Sequence, residues 1–178
     1  MSQGVEWGVH VLLVLAWAGK DSPLSTAQLA ASHDLPRAYL NKQLQALAQA
    51  GLLTSTPGVR GGFRLARPPE AISLLDVVEA IEGPQEAFRC TEIRQRGAGR
   101  ALPASCFRSP CAVRAAMHRA EGAWRQELAR QSIADVCAAA EEHAAGVGNA
   151  MRRALGRDEE PISPAQPVKP GRRDNDGL

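Results

Sequence analysis

A chain of 178 residues, 44 % of them hydrophobic, holds one core and an extra helical layer, and its formal charge of only +2 excludes nucleic-acid affinity through bulk charge. Any such affinity must come from charge placement. The apolar run Val9 to Ala18 follows Glu6 without a basic segment and is too short to span a bilayer, so it predicts neither signal peptide nor membrane helix, and a cytoplasmic protein. Four cysteines in that setting are better metal or redox candidates than disulfide candidates.

The first element is a helix over Gly4 to Ala18, apolar nearly all round from Val9 to Trp17 and therefore expected to be buried. Glu6 and His10 are one helical turn apart on one face, a spacing that taken alone is most often just a surface hydrogen-bonded pair, with Trp7 between them. Ser25 caps the next helix, Leu29 and Ala30 face inward, and His33-Asp34 ends it. Leu35-Pro36 turns into a third helix with Leu40, Leu44 and Leu47 at helical spacing, stopped by Gly51. Leu52 to Thr56, the turn residues Pro57-Gly58 with Gly61-Gly62, and Phe63-Arg64-Leu65 read as a hairpin of two strands.

Helix, turn, helix, hairpin is the order of a winged helix-turn-helix. Between Leu35 and Pro69 there is no Asp or Glu, whereas Arg37, Lys42, Arg60, Arg64 and Arg67 are all present, the local cationic footprint that a polyphosphate needs. On the expected exposed face of the third helix, Tyr39, Lys42 and Gln43 are candidates for base or phosphate contact, and Arg60 at the wing tip for the minor groove of double-stranded DNA.

Downstream, Ser73 caps a helix over Leu74 to Glu82, closed by Gly83, with Leu75, Val78 and Ile81 as its apolar stripe. Ala87 to Ser109 has no sustained period and reads as a loop carrying Cys90 and Cys106, with Cys111 at its edge. Ser109-Pro110 looks like an N-cap and first helical residue. The long helix that follows, to about Gln131, repeats Val113, Met117, Ala120, Trp124 and Leu128 and is assigned to dimerisation. Ser132 caps another, reaching about Ala145 with Ile133, Val136 and Cys137 inward. The expected architecture is mainly α: a winged helix-turn-helix domain over 1–84 with a two-stranded wing, a cluster-binding loop over 85–109, dimerisation helices over 110–146, and a proline-rich disordered tail over 157–178.

The three loop cysteines lack Cys-x-x-Cys spacing, so spacing alone argues only weakly for metal. A thiolate at Cys111 gains from a helix N-terminus, and thiolates on a loop with imidazole available suit zinc or an iron–sulfur cluster. No nucleophile–base pair, phosphate loop or paired carboxylates stand out, so no enzyme is expected.

The run Tyr39-Leu40, Leu44, Leu47, Ala50-Gly51-Leu52, Ser55, Gly58, Gly61-Gly62-Phe63 and Leu65, then Leu74-Leu75-Asp76-Val77-Val78 and Glu82-Gly83, resembles the Rrf2 family of bacterial winged-helix regulators over about Gly4 to Ala140. That resemblance implies a dimeric repressor or activator, many members holding an iron–sulfur cluster through a three-cysteine loop. The wider cysteine spacing departs from that pattern. With Val5-Glu6-Trp7, His10, Phe88, Cys90 to Gly97, Cys106 and Cys111, the chain is instead similar to redox-sensing members. The likeness implies a 2Fe–2S cluster held by two cysteines of one subunit and by Glu6 and His10 of the other. Cys90 and Cys111 are the preferred thiolates, Cys106 is held in reserve, and Trp7 is the expected redox switch. Further implications are a homodimer on an inverted-repeat operator and no membrane partner. Two other classes stay open: a zinc- or thiol-based regulator without a cluster, and an iron–sulfur electron-transfer or carrier protein.

Overall fold

The computed structural model describes residues 1–58 and 61–156. Helix α1 (Gln3–Ala18) lies at its centre. Because that helix is apolar on nearly every side, no single neighbour can cover it. Val11, Leu12 and Val14 are fully buried and Leu13, Leu15 and Trp17 almost so. Five elements packed on α1 accomplish this: β2 (Gly62–Leu65), α3 (Arg37–Gln49), α4 (Leu74–Glu82), α6 (Ile133–His143) and α7 (Val147–Ala154).

The helix-turn-helix follows from local signals. Helix α2 (Thr26–Ala31) opens with a capping box, in which Ser25 Oγ accepts from the Gln28 N–H at 3.3 Å and Gln28 Oε1 accepts from the Ser25 N–H at 3.0 Å. Asp34, in the left-handed region at φ 51°, turns the chain before Pro36 leads into α3. Leu40, Leu44 and Leu47 of α3 are fully buried. The wing pairs β1 (Leu53–Thr56) antiparallel with β2, with Leu53 opposite Leu65 and Ser55 opposite Phe63. The other edge of β2 exchanges two backbone hydrogen bonds with Leu24, from Leu24 N–H to the Phe63 carbonyl (3.0 Å) and from Phe63 N–H to the Leu24 carbonyl (2.8 Å). The wing is therefore fixed to the body on its inner edge and open on its outer one.

Helix α4 begins with a Ser73–Asp76 capping box. Of its expected stripe, Val78 is buried and Ile81 packs on the core, but Leu75 is half-buried outside it, and the fully buried Val77 and core-packed Leu74 were not foreseen. The reason is that α4 lies between α1 and α5 (Ala112–Arg130), so two of its sides are covered instead of one. Helix α5 starts after Cys111 as N-cap, two residues later than the Ser109-Pro110 signal suggested. It contains no buried residue, and Arg125 anchors it to α4 through Glu79 (2.7 Å) and its own Glu121 (3.1 Å).

Beyond α5 the chain returns to α1. Ser132 and Asp135 cap α6, Ile133 is fully buried, and the backbone of Ile72 to Leu74 bonds to Gln131 and Ile133 at 2.8 Å each. Helix α6, grouped by the sequence reading with the dimerisation helices, thus packs on α1. Helix α7 was not foreseen. Glu141 accepts from the Gly146 and Gly148 N–H groups (2.7 and 2.8 Å), and Gly148 lies so near Trp17 that a Cβ there would sit 2.7 Å from the indole. Helix α6 ends at His143, not Ala145. No described helix is long and apolar enough to cross a membrane. The tail expected to be disordered, 157–178, lies outside the described residues.

Gly62 carries the wing's attachment: at φ 156°, its Cβ would sit 2.5 Å from the Leu24 backbone. Gly62→Ala should therefore lower stability in urea by about 2 kcal/mol. A denaturation midpoint equal to the parent's would show that the wing does not depend on this approach.

Candidate functional site

Three surfaces carry the chemistry-bearing side chains. The first is the outer face of α3, where Arg37, Tyr39, Asn41, Lys42 and Gln45 are exposed in a segment without acidic residues. Tyr39 is 43 % exposed. Gln43 corrects the sequence reading: it is buried at 5 % exposure, and its side-chain amide lies 3.0 Å from where a Gly4 Cβ would stand. Spacing explains this, since Gln43 is three residues after Leu40 and four before Leu47, on the inward face; its polarity was misleading. Asn41 and Gln45, missed from sequence, follow Arg37 at four-residue intervals and were legible from that period. On the wing, the Arg64 Nε donates across the strands to Thr54 Oγ1 at 3.1 Å. Arg60, the candidate minor-groove residue, lies outside the described residues.

The second surface is the first half of α1. Glu6 and His10 are both exposed and line an open groove of about 610 Å³, floored by Val5, Val9, Leu74 and Val136. Trp7 is half-buried between them, and its ring meets that of Tyr39 edge-on, centroids 4.9 Å apart at 78°. One aromatic contact thus joins the Glu6–His10 turn to the exposed face of α3. The His10 ring lies 5.1 Å from that of His33, whose pKa is lowered by burial and by the neighbouring His10.

The third surface is the cysteine loop, three short 3-10 turns (Ile93–Gln95, Gly97–Ala101, Ala104–Phe107) leading to α5. Cys90 and Cys111 are half-buried and neighbours, whereas Cys106 is exposed. The Cys111 thiol is pulled below the ordinary thiol range, first by the Arg114 N–H in the opening turn of α5, then by the Val113 N–H, the Cys90 thiol and the Arg94 charge. The Cys90 thiol donates weakly to Glu92 Oε1 at 3.8 Å, and Glu92 holds Arg94 Nε at 2.7 Å. Cys137 is a different case: burial, with Glu141 and Glu70 adding to it, pushes its thiol up to about 11, as suits a small packed residue on α6. Among the described residues no three His, Cys, Asp or Glu side chains group so as to hold a metal ion, so Glu6–His10 and Cys90–Cys111 are separate pairs within one chain.

Against known proteins, the Rrf2 family, described as "Iron-dependent Transcriptional regulator", matches residues 1–139. The chain belongs to the Rrf2 family. YwgB of Bacillus subtilis, named as an HTH-type transcriptional regulator, is 31 % identical over 138 residues, 76 % of this chain and 83 % of that protein. In fold, this Rrf2 protein is similar to CymR, the global cysteine regulator of B. subtilis (TM-score 0.59, 22 % identity, 78 % of this chain and 95 % of that one). It is also similar to T. potens IscR (TM-score 0.61, 22 % identity, 81 % and 90 %). The architecture is the mainly helical winged helix of Rrf2 regulators, and these relatives are regulators, not enzymes.

The thiol environments give a direct measurement. In metal-free protein near pH 8, a monofunctional alkylating reagent should label Cys111 well before Cys137, because only a thiolate attacks and Cys111 ionises at lower pH. Equal labelling rates for the two, read by peptide mass spectrometry, would contradict the assigned environments.

Proposed function

We propose that this Rrf2 protein is a cytoplasmic, homodimeric DNA-binding regulator, a repressor, that senses redox state through a 2Fe–2S cluster held between its two subunits. The observation that carries this is the division of candidate ligands into two pairs. Cys90 and Cys111 adjoin at the start of α5, and Glu6 with His10 border an open groove on α1. Two thiolates, one imidazole and one carboxylate make the four terminal donors that a 2Fe–2S core takes. The donors fit the group, with the Cys111 thiol made more acidic by the Arg114 N–H at the start of α5 and both members of the α1 pair exposed. When bound, such a group supplies a reversible one-electron change, at a potential that imidazole in place of thiolate raises.

The remaining parts are the protein's own. Val113 (60 % exposed) and Met117 (42 %) are one turn apart on α5, an uncovered apolar edge suited to a second copy. A twofold dimer presents two α3 helices, which calls for an inverted-repeat operator in double-stranded DNA. Tyr39 and Lys42, both exposed on α3, are the residues proposed for base or phosphate contact, and Arg60, outside the described residues, is the one proposed for the minor groove. Trp7 is the coupling residue: packed on Tyr39 and flanked by the α1 pair, it passes a shift in that turn to the recognition face. The chain's resemblance around Glu6, His10 and Cys90 to the redox-sensing regulator RsrR supports this reading. The Cys90–Cys111 contact also favours a second one, in which the same thiols hold zinc or close a disulfide without a cluster.

Visible absorbance and metal content separate the readings, and two substitutions test the DNA contact and the switch. Protein purified without oxygen should absorb in the visible and contain iron; colourless, zinc-bearing protein favours the second. Lys42→Ala should weaken operator binding and make the slope of log K against log salt shallower by about two, one for each subunit, with iron content unchanged. Trp7→Ala should keep the chromophore yet give oxidised and reduced protein the same operator affinity. A mutant whose oxidised-to-reduced ratio matches the parent's would remove Trp7 from the switch.

A further inference from the structure

The Cys90 and Cys111 thiols lie close enough to influence each other and both act on the Arg94 charge, although a loop with little regular structure separates them and no residue between them is fully buried. Left to itself, such a segment samples many separations of its ends, and the two thiols would be together only part of the time. Arg94 accounts for their meeting. Its Nε donates to Glu92 Oε2 at 2.7 Å on the Cys90 arm, and its Nη2 donates to the Ser109 carbonyl at 2.8 Å on the Cys111 arm. Its guanidinium carbon lies 5.5 Å from the centroid of the Phe107 ring, also on the second arm. One planar cation therefore bonds both arms at once, from positions two residues away from each cysteine-bearing end of the contact.

The backbone is shaped to deliver it. Glu92 stands in the left-handed region at φ 52°, an uncommon conformation for a glutamate, and this kink brings its carboxylate between the Cys90 thiol and the Arg94 guanidinium. Gly99 packs on the Arg94 carbonyl so closely that a Cβ would sit 1.9 Å from that oxygen. Arg96 adds a weaker staple, from its Nη2 to the Thr91 carbonyl at 3.4 Å.

We propose that Arg94 is the positioning residue of the thiol pair: a clasp that joins the Cys90 arm to the Cys111 arm and holds both sulfurs ready as one bidentate ligand set. The proposal rests on the reading of Cys90 and Cys111 as ligands of one group. It adds that the half-site is assembled before anything binds. Lysine at this position keeps the charge but loses the planar fork whose separate Nε and Nη2 groups reach Glu92 and Ser109, so it should hold the two arms less firmly.

The test uses the full-length protein, freed of metal by chelation without oxygen, and dibromobimane, which links two thiols only when they are adjacent. Cys90–Cys111 cross-linking, identified by peptide mapping, should slow about tenfold in Arg94→Gln and nearly as much in Arg94→Lys. The melting temperature should stay near the parent's, because the clasp lies outside the core. If Arg94→Gln proves unstable, Glu92→Gln serves instead, since it weakens one end of the clasp and leaves the guanidinium in place; an intermediate rate is expected. Cross-linking within about twofold of the parent in the folded variants overturns the clasp. Visible absorbance of the untreated protein separates this from the parent reading. Arg94-dependent cross-linking in a protein that never carries iron keeps the clasp and sinks the cluster, and Arg94-independent cross-linking in an iron-bearing protein does the reverse.

Discussion

Burial of α1 is the constraint on which the rest depends. A helix this apolar is stable in water only if wrapped, and the chain commits β2, α3, α4, α6 and α7 to wrapping it. Those partners come from both halves of the sequence, so the recognition helix, the wing and the C-terminal helices share one core. The consequence for function is mechanical. Any displacement of the first turns of α1 is felt by α3 directly, through Gly4 against Gln43 and Trp7 against Tyr39. Packed interiors transmit such displacements because they have no slack to absorb them.

The parts left outside that core are the ones available for binding. Glu6 and His10 leave α1 on its one open side, above a groove that nothing in the same chain fills among the described residues. The cysteine loop and α5 project beyond the core with no buried residue on the helix, held by Arg125 at one end and Arg94 at the other. The electrostatics differ between the surfaces: the outer face of α3 is cationic and lies in a segment without acidic residues, whereas Arg94 is committed to Glu92 within the loop. The first arrangement attracts a polyanion; the second orders a loop.

Much of this was legible from the residues because local signals and periodicity agreed. Ser25, Ser73 and Ser132 each announced a helix start and each sits at one, and the leucines of α3 marked its buried face. The failures came where tertiary context decides. Gln43 looked like a surface residue by its chemistry, but its place in the period puts it inside. Leu75 was misassigned to the stripe of α4, and Val77 and Leu74 missed, because a helix covered on two sides has no single stripe, and α7 was invisible because its short run is defined by Gly148 approaching Trp17, a contact between distant residues. Glu92 and Arg94 stood in the sequence beside Cys90, yet only the folded loop shows them bonded to each other and to the Ser109 carbonyl.

The central claim is that two chains complete one ligand set, and a mixed dimer tests it most directly. A chain carrying Glu6→Ala and His10→Ala is combined with one carrying Cys90→Ala and Cys111→Ala, neither able to hold a cluster by itself. If ligation crosses between subunits, one site of the mixed dimer keeps all four donors and the other keeps none, so the mixture should gain iron and visible absorbance that neither parent shows. Colourless, iron-free mixed dimers, with their dimeric state established independently, would contradict an interfacial site.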